Sequence, residues 1–403
     1  QYLEVKDNYE DVILFYRIGD FYEMFFDDAI NVSRDLELTL TGKNAGLEER
    51  IPMCGVPHHA ANMYINKLIE KGYKVAICEQ TEDPKCAKGI VKREVIRIIT
   101  KGTVMSDDML DAKSNNYIGA IKDLGYLYAL SYADLSTGEV NAVLVPYDTD
   151  KIINEIINYN IKELVVFDKL DPKITSTLKD KYQITISYEN NDAEKEEYKN
   201  IYENVKDVRI ISSLCVLLNY LTDTQKRSLE HMQKVLVRNY ETYLKMDVHT
   251  KRNLELTENL RLKERTYSLL WLLDKTKTAM GSRLLKNMIE NPITNKEELE
   301  KRYDMISKLS EEFLLKDELK DLLNEVYDLE RLSGRVSFGN ANARDLLQLK
   351  NSLKVLPRIK EIINELGFDL KINDLSDLCS YLDESLYEDP PVGLKEGYLI
   401  KEG

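Results

Sequence analysis

Cysteine is scarce and scattered. The five, Cys54, Cys78, Cys86, Cys215 and Cys379, are odd in number and contain no Cys-x-x-Cys. That argues against a disulfide framework or a zinc ribbon and fits a reducing compartment. His58 and His59 precede Cys78 and Cys86 at no spacing a metal site uses. No apolar run reaches the ~18 residues of a membrane span and no signal peptide opens the chain, so a soluble, cytoplasmic protein with no membrane partner is expected. A Gly-x-x-x-x-Gly-Lys-[Ser/Thr] phosphate loop is missing: at the Gly42-Lys43 pair, Glu37 stands where the first glycine belongs. Net positive charge is missing as well. The formal charge is −14 and the pI near 5.1, which excludes a surface coated in nucleic-acid contacts but leaves room for a local basic patch. The most basic stretch runs from Pro84 to Lys101, where Lys85, Lys88, Lys92, Arg93, Arg97 and Lys101 meet only Glu94.

The chain has 403 residues, enough for two to four domains. Residues 1–105 read as mixed α/β. Val12 to Tyr16 is an apolar, buried-strand run, Gly19 and Asp20 break it as turn residues do, and four aromatics follow within six residues: Phe21, Tyr22, Phe25 and Phe26. A lone carboxylate, Glu23, sits among them. Spacing alone fits aromatics that staple a helix onto a sheet. Asp35 to Thr41 alternates as a half-buried strand does, followed by a polar loop, Gly42 to Gly46. Pro57 opens a helix whose apolar face is Ala61, Tyr64, Ile65, Leu68 and Ile69, closed by Gly72. Tyr73–Glu79 and Val91–Thr100 are further strands.

After a linker, Met105 to Asn116, residues 117–205 read as a second α/β domain. Three strand runs (117–122, 126–134 and 139–145) form a meander, and helix-like and strand-like segments then alternate to residue 187. Asn190 to Asn204 is charged and expected to be exposed. From 206 to 403 the pattern is helical. Ser268 to Asp274 is apolar nearly all round and expected deep in a core, Asn295 caps a helix with Glu298 at its third position, and Pro357 should kink or end a helix carrying Leu346, Leu349, Leu353 and Leu356.

The run Gly19-Asp-Phe-Tyr-Glu-Met-Phe25 resembles the first domain of the MutS DNA mismatch-repair family. So do Ile51 to Ala60, Val75 to Gln80 and Val91 to Thr103, in the same order; Met246–Leu256, Leu269–Arg283, Asp328–Leu332 and Ala343–Leu346 resemble its core. The likeness covers essentially the whole chain. It implies a multidomain fold: an α/β mismatch-recognition domain (1–105), a ribonuclease-H-like α/β connector (117–205) and part of an all-α core (206–403), with the clamp and ATPase modules beyond it. It implies that Phe21 wedges at a mispaired base, that Glu23 hydrogen-bonds to that base, and that Lys43 contacts DNA, with Lys88, Lys92 and Arg93 as weaker phosphate contacts. The implied ligand is double-stranded DNA with mismatches or small insertion/deletion loops, in a cytoplasmic, nucleoid-associated protein. ATP and Mg²⁺ would belong to the ATPase module of the full-length protein, which is implied to be a homodimer with a MutL-type partner; no catalysis and no cofactor are expected of these 403 residues. Two other readings stay open. One is a metal-dependent nuclease on the middle domain, with Asp134 and Glu139 the nearest carboxylates. The other is a purely structural or interaction piece.

Overall fold

The structure, a computed structural model, describes residues 1–44, 50–82, 89, 91–391 and 397–401. The first unit is a six-stranded sheet of β1 (Ile13–Ile18), β2 (Phe21–Phe25), β3 (Thr41–Lys43), β4 (Ile51–Pro57), β5 (Val75–Gln80) and β6 (Arg93–Ile99), in the order β3-β4-β2-β1-β5-β6. β1 is central and covered on both faces, which is why it reads as one apolar run. Ile13 and Phe15 pack with Ala29 and Val32 of the Phe26–Leu36 helix and with Ile65 and Leu68 of the Ala61–Glu70 helix. Leu14 and Tyr16 face the short Tyr2–Lys6 helix on the other side. Gly72, at φ +88°, ends the second helix in a Schellman motif: Gly72 N–H donates to Ile69 O and Tyr73 N–H to Leu68 O, both at 3.0 Å.

Three local expectations in this unit differ. The aromatic run does not begin a helix: Phe21–Phe25 is a strand, antiparallel to β1. Asp35 and Leu36 close the preceding helix, which ends at Glu37 with φ +57°, so the alternation through Thr41 is broken by a helix terminus. The face of Asp28, Ala29, Val32 and Ser33 is buried at helical period, and that packing outweighs the weaker two-residue repeat after it. Pro57 closes β4, and the helix starts at Ala61 after a 3₁₀ turn.

The second sheet contains β7 (Tyr117–Asp123), β8 (Leu127–Asp134), β9 (Glu139–Pro146), β10 (Ile161–Val166), β11 (Thr185–Tyr188) and β12 (Leu236–Arg238), ordered β11-β10-β7-β8-β9-β12. β7, β8 and β9 form the antiparallel meander. β10 runs parallel to β7 and β11, and β12 parallel to β9. The Thr149–Asn158 helix covers one face through Ile152, Ile153 and Ile156. The Val208–Gln225 helix covers the other with Ile210, Leu214, Leu217, Leu218 and Leu221, so this sheet's core takes in residues beyond 205. Tyr198, Ile201 and Tyr202 are buried in the same cluster and root the charged 190–204 stretch, most of which is exposed as expected.

The remainder is helical, built from Ala279–Glu290, Lys296–Glu311, Phe313–Asn324, Leu329–Ser337, Ala343–Glu365 and Ser376–Ser385. Asn295 caps as expected, its side chain accepting from Glu298 N–H at 3.2 Å. Pro357 does not end its helix, which runs 23 residues. Val355, Ile359, Ile362 and Ile363 are buried on both sides of it, and Arg358 bridges to Glu318 at 2.6 Å. Ser268–Asp274 is not deep in a core. Only five residues, Leu269–Leu273, are helical, a single turn that turns Leu270 inward and leaves Trp271, Leu272 and Leu273 about half exposed.

The expected linker is fastened along its length. Arg283, on the 279–290 helix, donates to Ala112 O at 2.9 Å and pairs with Asp328 at 2.6 Å. Arg331 donates to the carbonyls of Asp111 and Ser114, and Lys286 to the Ser114 hydroxyl, each at 2.9 Å.

Candidate nucleic-acid interface

The hairpin of β1 and β2 is joined by Gly19 and Asp20, with Ile18 opposite Phe21. Gly19 has φ +57°, the handedness a two-residue hairpin needs at its first loop position. Asp20 O accepts from His58 N–H at 2.9 Å, tying the loop to the end of β4. Along β2 exposure alternates: Phe21 is 47 % exposed, Tyr22 is buried, Glu23 is intermediate and Met24 is buried. The two-residue repeat of a strand therefore puts Phe21 and Glu23 on one face, about 6.6 Å apart along the chain. Tyr22 and Met24 root the strand beneath them, in the cluster with Phe15 and Ile77. The Tyr22 hydroxyl donates to Glu79. Burial first, and that carboxylate second, push its pKa far above the ordinary value, so it remains a donor.

Lys43 lies on β3, two strands away, yet its Nζ is 2.8 Å from Glu23 Oε2 and 5.1 Å from the centre of the Phe25 ring. Gly55 is the β4 residue opposite Glu23. A Cβ there would lie 3.2 Å from the Tyr22 carbonyl oxygen and in ordinary contact, 3.6 Å, with Glu23 Cγ. The two residues singled out as separate DNA contacts thus form one ion pair, with the lysine side chain 42 % and the glutamate 18 % exposed. This pairing was not legible in the sequence, where the partners are twenty residues apart on non-adjacent strands.

The other basic residues are arranged differently. Arg93 donates to Arg17 O at 2.7 Å and to Val91 O at 2.9 Å, and its guanidinium lies over the Tyr16 ring. Lys92 pairs with Glu94 at 2.6 Å on the exposed surface. Lys101 donates to Gln183 O at 2.9 Å. Lys88 lies outside the described residues. Among those described, the basic stretch is not a continuous cationic stripe.

In the middle sheet, Asp134 accepts from Ser136 N–H at 2.9 Å, Ser136 Oγ at 2.7 Å, Asn115 at 3.0 Å and Asn116 N–H at 3.1 Å. Glu139 accepts from Tyr117 Oη and Asn141, each at 2.8 Å. These bonds organise the β8–β9 turn and use the lone pairs a metal ion would need. Among the described residues, no group of three or more His, Cys, Asp or Glu side chains is placed to hold a metal ion. Also among them, no helix is long and apolar enough to cross a membrane.

Comparison with known proteins matches three successive family descriptions: MutS domain I over residues 1–108, MutS domain II over 116–233 and MutS domain III over 249–402. The proteins named DNA mismatch repair protein MutS from Bacillus subtilis (strain 168) and Bacillus pumilus (strain SAFR-032) are each 49 % identical to it over 409 aligned residues. That from Bacillus cereus (strain G9842) is 48 % identical over 410. Each alignment takes in 100 % of this chain and 46–47 % of the relative, so the chain spans about half the length of the curated relatives it matches.

Proposed function

The chain belongs to the MutS family, and from that premise we propose that it is the mismatch-reading portion of a DNA mismatch-repair protein. Its ligand is duplex DNA carrying a mismatch or a small insertion/deletion loop. The observation that carries this reading is the alternation of β2: a half-exposed phenylalanine and a carboxylate side by side, on a strand rooted by Tyr22 and Met24. An aromatic ring entering a base step must unstack it, at a cost of a few kcal/mol. A mispaired base is already poorly held, so the cost falls there and Phe21 discriminates. Glu23 accepts a hydrogen bond from a base edge that mispairing has freed. A carboxylate near a polyanion is repelled by ordinary duplex, and the 2.8 Å pair with Lys43 offsets that repulsion until the base competes for it.

Lys43 is the phosphate contact we favour, since its half-exposed ammonium sits beside Glu23. Arg93 and Lys92 have intramolecular partners and act through the general field. The middle sheet, with the ribonuclease-H-like architecture its family resemblance implies, and the helical core connect the reading site to an ATPase in the rest of the longer protein. The domain boundary is best drawn after β12, because the 208–225 helix and β12 belong to the second sheet. Homodimerisation and a MutL-type partner belong to that longer protein. ATP and Mg²⁺ do not fit these residues: the 403 positions contain no Gly-x-x-x-x-Gly-Lys loop. The nuclease reading is disfavoured by the saturated carboxylates of Asp134 and Glu139.

The experiment is a binding comparison by fluorescence anisotropy, using a mismatched duplex and its fully paired counterpart at two stated salt concentrations. Tighter binding to the mismatch at both salts is expected. Equal affinity for the two duplexes in the intact protein would remove the reading.

A further inference from the structure

Alternation along β6 puts Arg97 on the same face of the first sheet as Ile99, opposite Ile77 of β5, where the neighbouring side chains are apolar. Its Nε is buried and has no hydrogen-bond partner, and among the described residues no carboxylate pairs with it. A buried guanidinium nitrogen left without an acceptor is costly, and the guanidinium fork suits a planar or tetrahedral anion.

Arg97 lines a cavity of about 370 Å³ between the first sheet, the residues that follow the 208–225 helix and those that follow the 329–337 helix. A second arginine, Arg227, lines it from the far wall. Arg227 follows Lys226, which ends its helix at φ +54°. The floor is Ile65, Ile77, Ile99 and Phe338, and Asn340 and His58 stand at the rim. None of the lining residues is acidic, in a chain whose formal charge is −14. The nearby acid, Glu79, is held by the Tyr22 hydroxyl and lies 3.9 Å from His58 Nε2. Burial first, and the charge of Arg227 second, push the Arg97 pKa down to about 10, as expected of two cations facing one space without a counter-ion.

We propose that this cavity is a site for a phosphate-bearing ligand, its oxygens received by Arg97 and Arg227 and any flat apolar body lying on the isoleucine floor. Guanidinium forks match phosphate oxygens in pairs, and the volume is within the range of small-ligand pockets. The phosphate comes either from a small soluble molecule, such as a mononucleotide, or from the backbone of bound DNA. Because the walls come from the first sheet and from two helix ends in later parts of the chain, an occupant ties those parts together. Tyr22, which roots β2, also lines the cavity, and only the DNA source rests on the reading proposed above.

The test uses the full chain with inorganic phosphate and deoxyadenosine monophosphate at constant ionic strength, read by calorimetry and by thermal shift. A small-molecule source predicts saturable binding and a saturable rise in Tm, weakened at least about tenfold by Arg97→Gln and by Arg227→Gln but not by Lys173→Gln on the distant surface. A DNA source predicts no saturable binding of either probe, with both arginine substitutions weakening matched and mismatched duplexes alike and lowering the salt slope by about one unit. Arg227 is exposed, so its substitution should leave the fold intact even if Arg97→Gln does not. Unchanged binding of both probes and of DNA in Arg227→Gln would overturn the proposal.

Discussion

At the scale of the residue, the pair on which the proposed reading turns is Glu23 and Lys43. Each neutralises the other at 2.8 Å, so substitutions at the two positions are coupled. Glu23→Gln releases the lysine toward phosphate: affinity for fully paired DNA should hold or rise while preference for the mismatch falls. Lys43→Gln bares the carboxylate and removes a cation, so both duplexes should bind more weakly. In a double-mutant cycle on homoduplex affinity, the two effects should fail to add by roughly 0.5–1 kcal/mol, the scale of a partly exposed ion pair. Strict additivity would show that the pair does not persist in solution. As candidates, Phe21, Glu23 and Lys43 were legible from the motif and the family likeness. Their pairing was not, because it depends on the strand order that brings β3 within reach of β2.

At the scale of the element, the Phe-x-Glu spacing makes sense only on a strand. On a helix, residues two apart point in nearly opposite directions; on β2 they share a face, and the residue between them anchors the strand. The sequence was ambiguous here because five apolar or aromatic residues in seven fit either period. Long-range packing through Tyr22 and Met24 decided it. The same kind of ambiguity misassigned Ser268–Asp274, whose apolar character says nothing about how many neighbours arrive to cover it. By contrast the meander, the Gly72 terminus and the Asn295 cap were legible, since each depends on local chemistry alone. A close approach of elements gives a test. On Gly334 a Cβ would lie 2.5 Å from Ser136 O, at the β8–β9 turn. Gly334→Ala should therefore push the 329–337 helix off that turn and destabilise the chain by about 1–3 kcal/mol, with its helix content kept. Urea unfolding followed by circular dichroism reads both, and an unchanged midpoint would show that the two elements do not touch.

Across the whole molecule, the three parts are joined by buried polar groups as well as by apolar contact. Glu163, on β10, accepts from Gly102 N–H at 2.9 Å, Ser187 Oγ at 2.6 Å and Tyr220 Oη at 2.7 Å, so the end of the first unit is bonded into the second sheet. Arg283 and Arg331 clamp the following linker to the helices. Burial by itself would raise the Asp328 carboxyl, but the hydrogen bonds and charge of Arg283 outweigh it and hold that pKa below the ordinary 3.8. A carboxylate depressed on folding contributes stability that is complete above its ordinary value and is lost as pH falls through the depressed one. Thermal stability should therefore decline below about pH 4, and Asp328→Asn should be less stable at pH 7 and lose less on acidification. A parallel decline in wild type and variant would show that Asp328 is not the responsible group. None of these joints was visible in the linear pattern, because each pairs residues separated by many tens of positions.

In the proposed reading the ring of Phe21, carried at the first residue of an interior strand, converts the weakness of a mispaired step into binding preference. The most direct measurement is the ratio of mismatch to homoduplex affinity for wild type and Phe21→Ala, in protein shown by its unchanged melting temperature to be folded. The variant should lose roughly 1–3 kcal/mol of binding to the mismatch, so that its ratio falls toward one, while homoduplex affinity changes little. A folded Phe21→Ala protein with the wild-type ratio would contradict it.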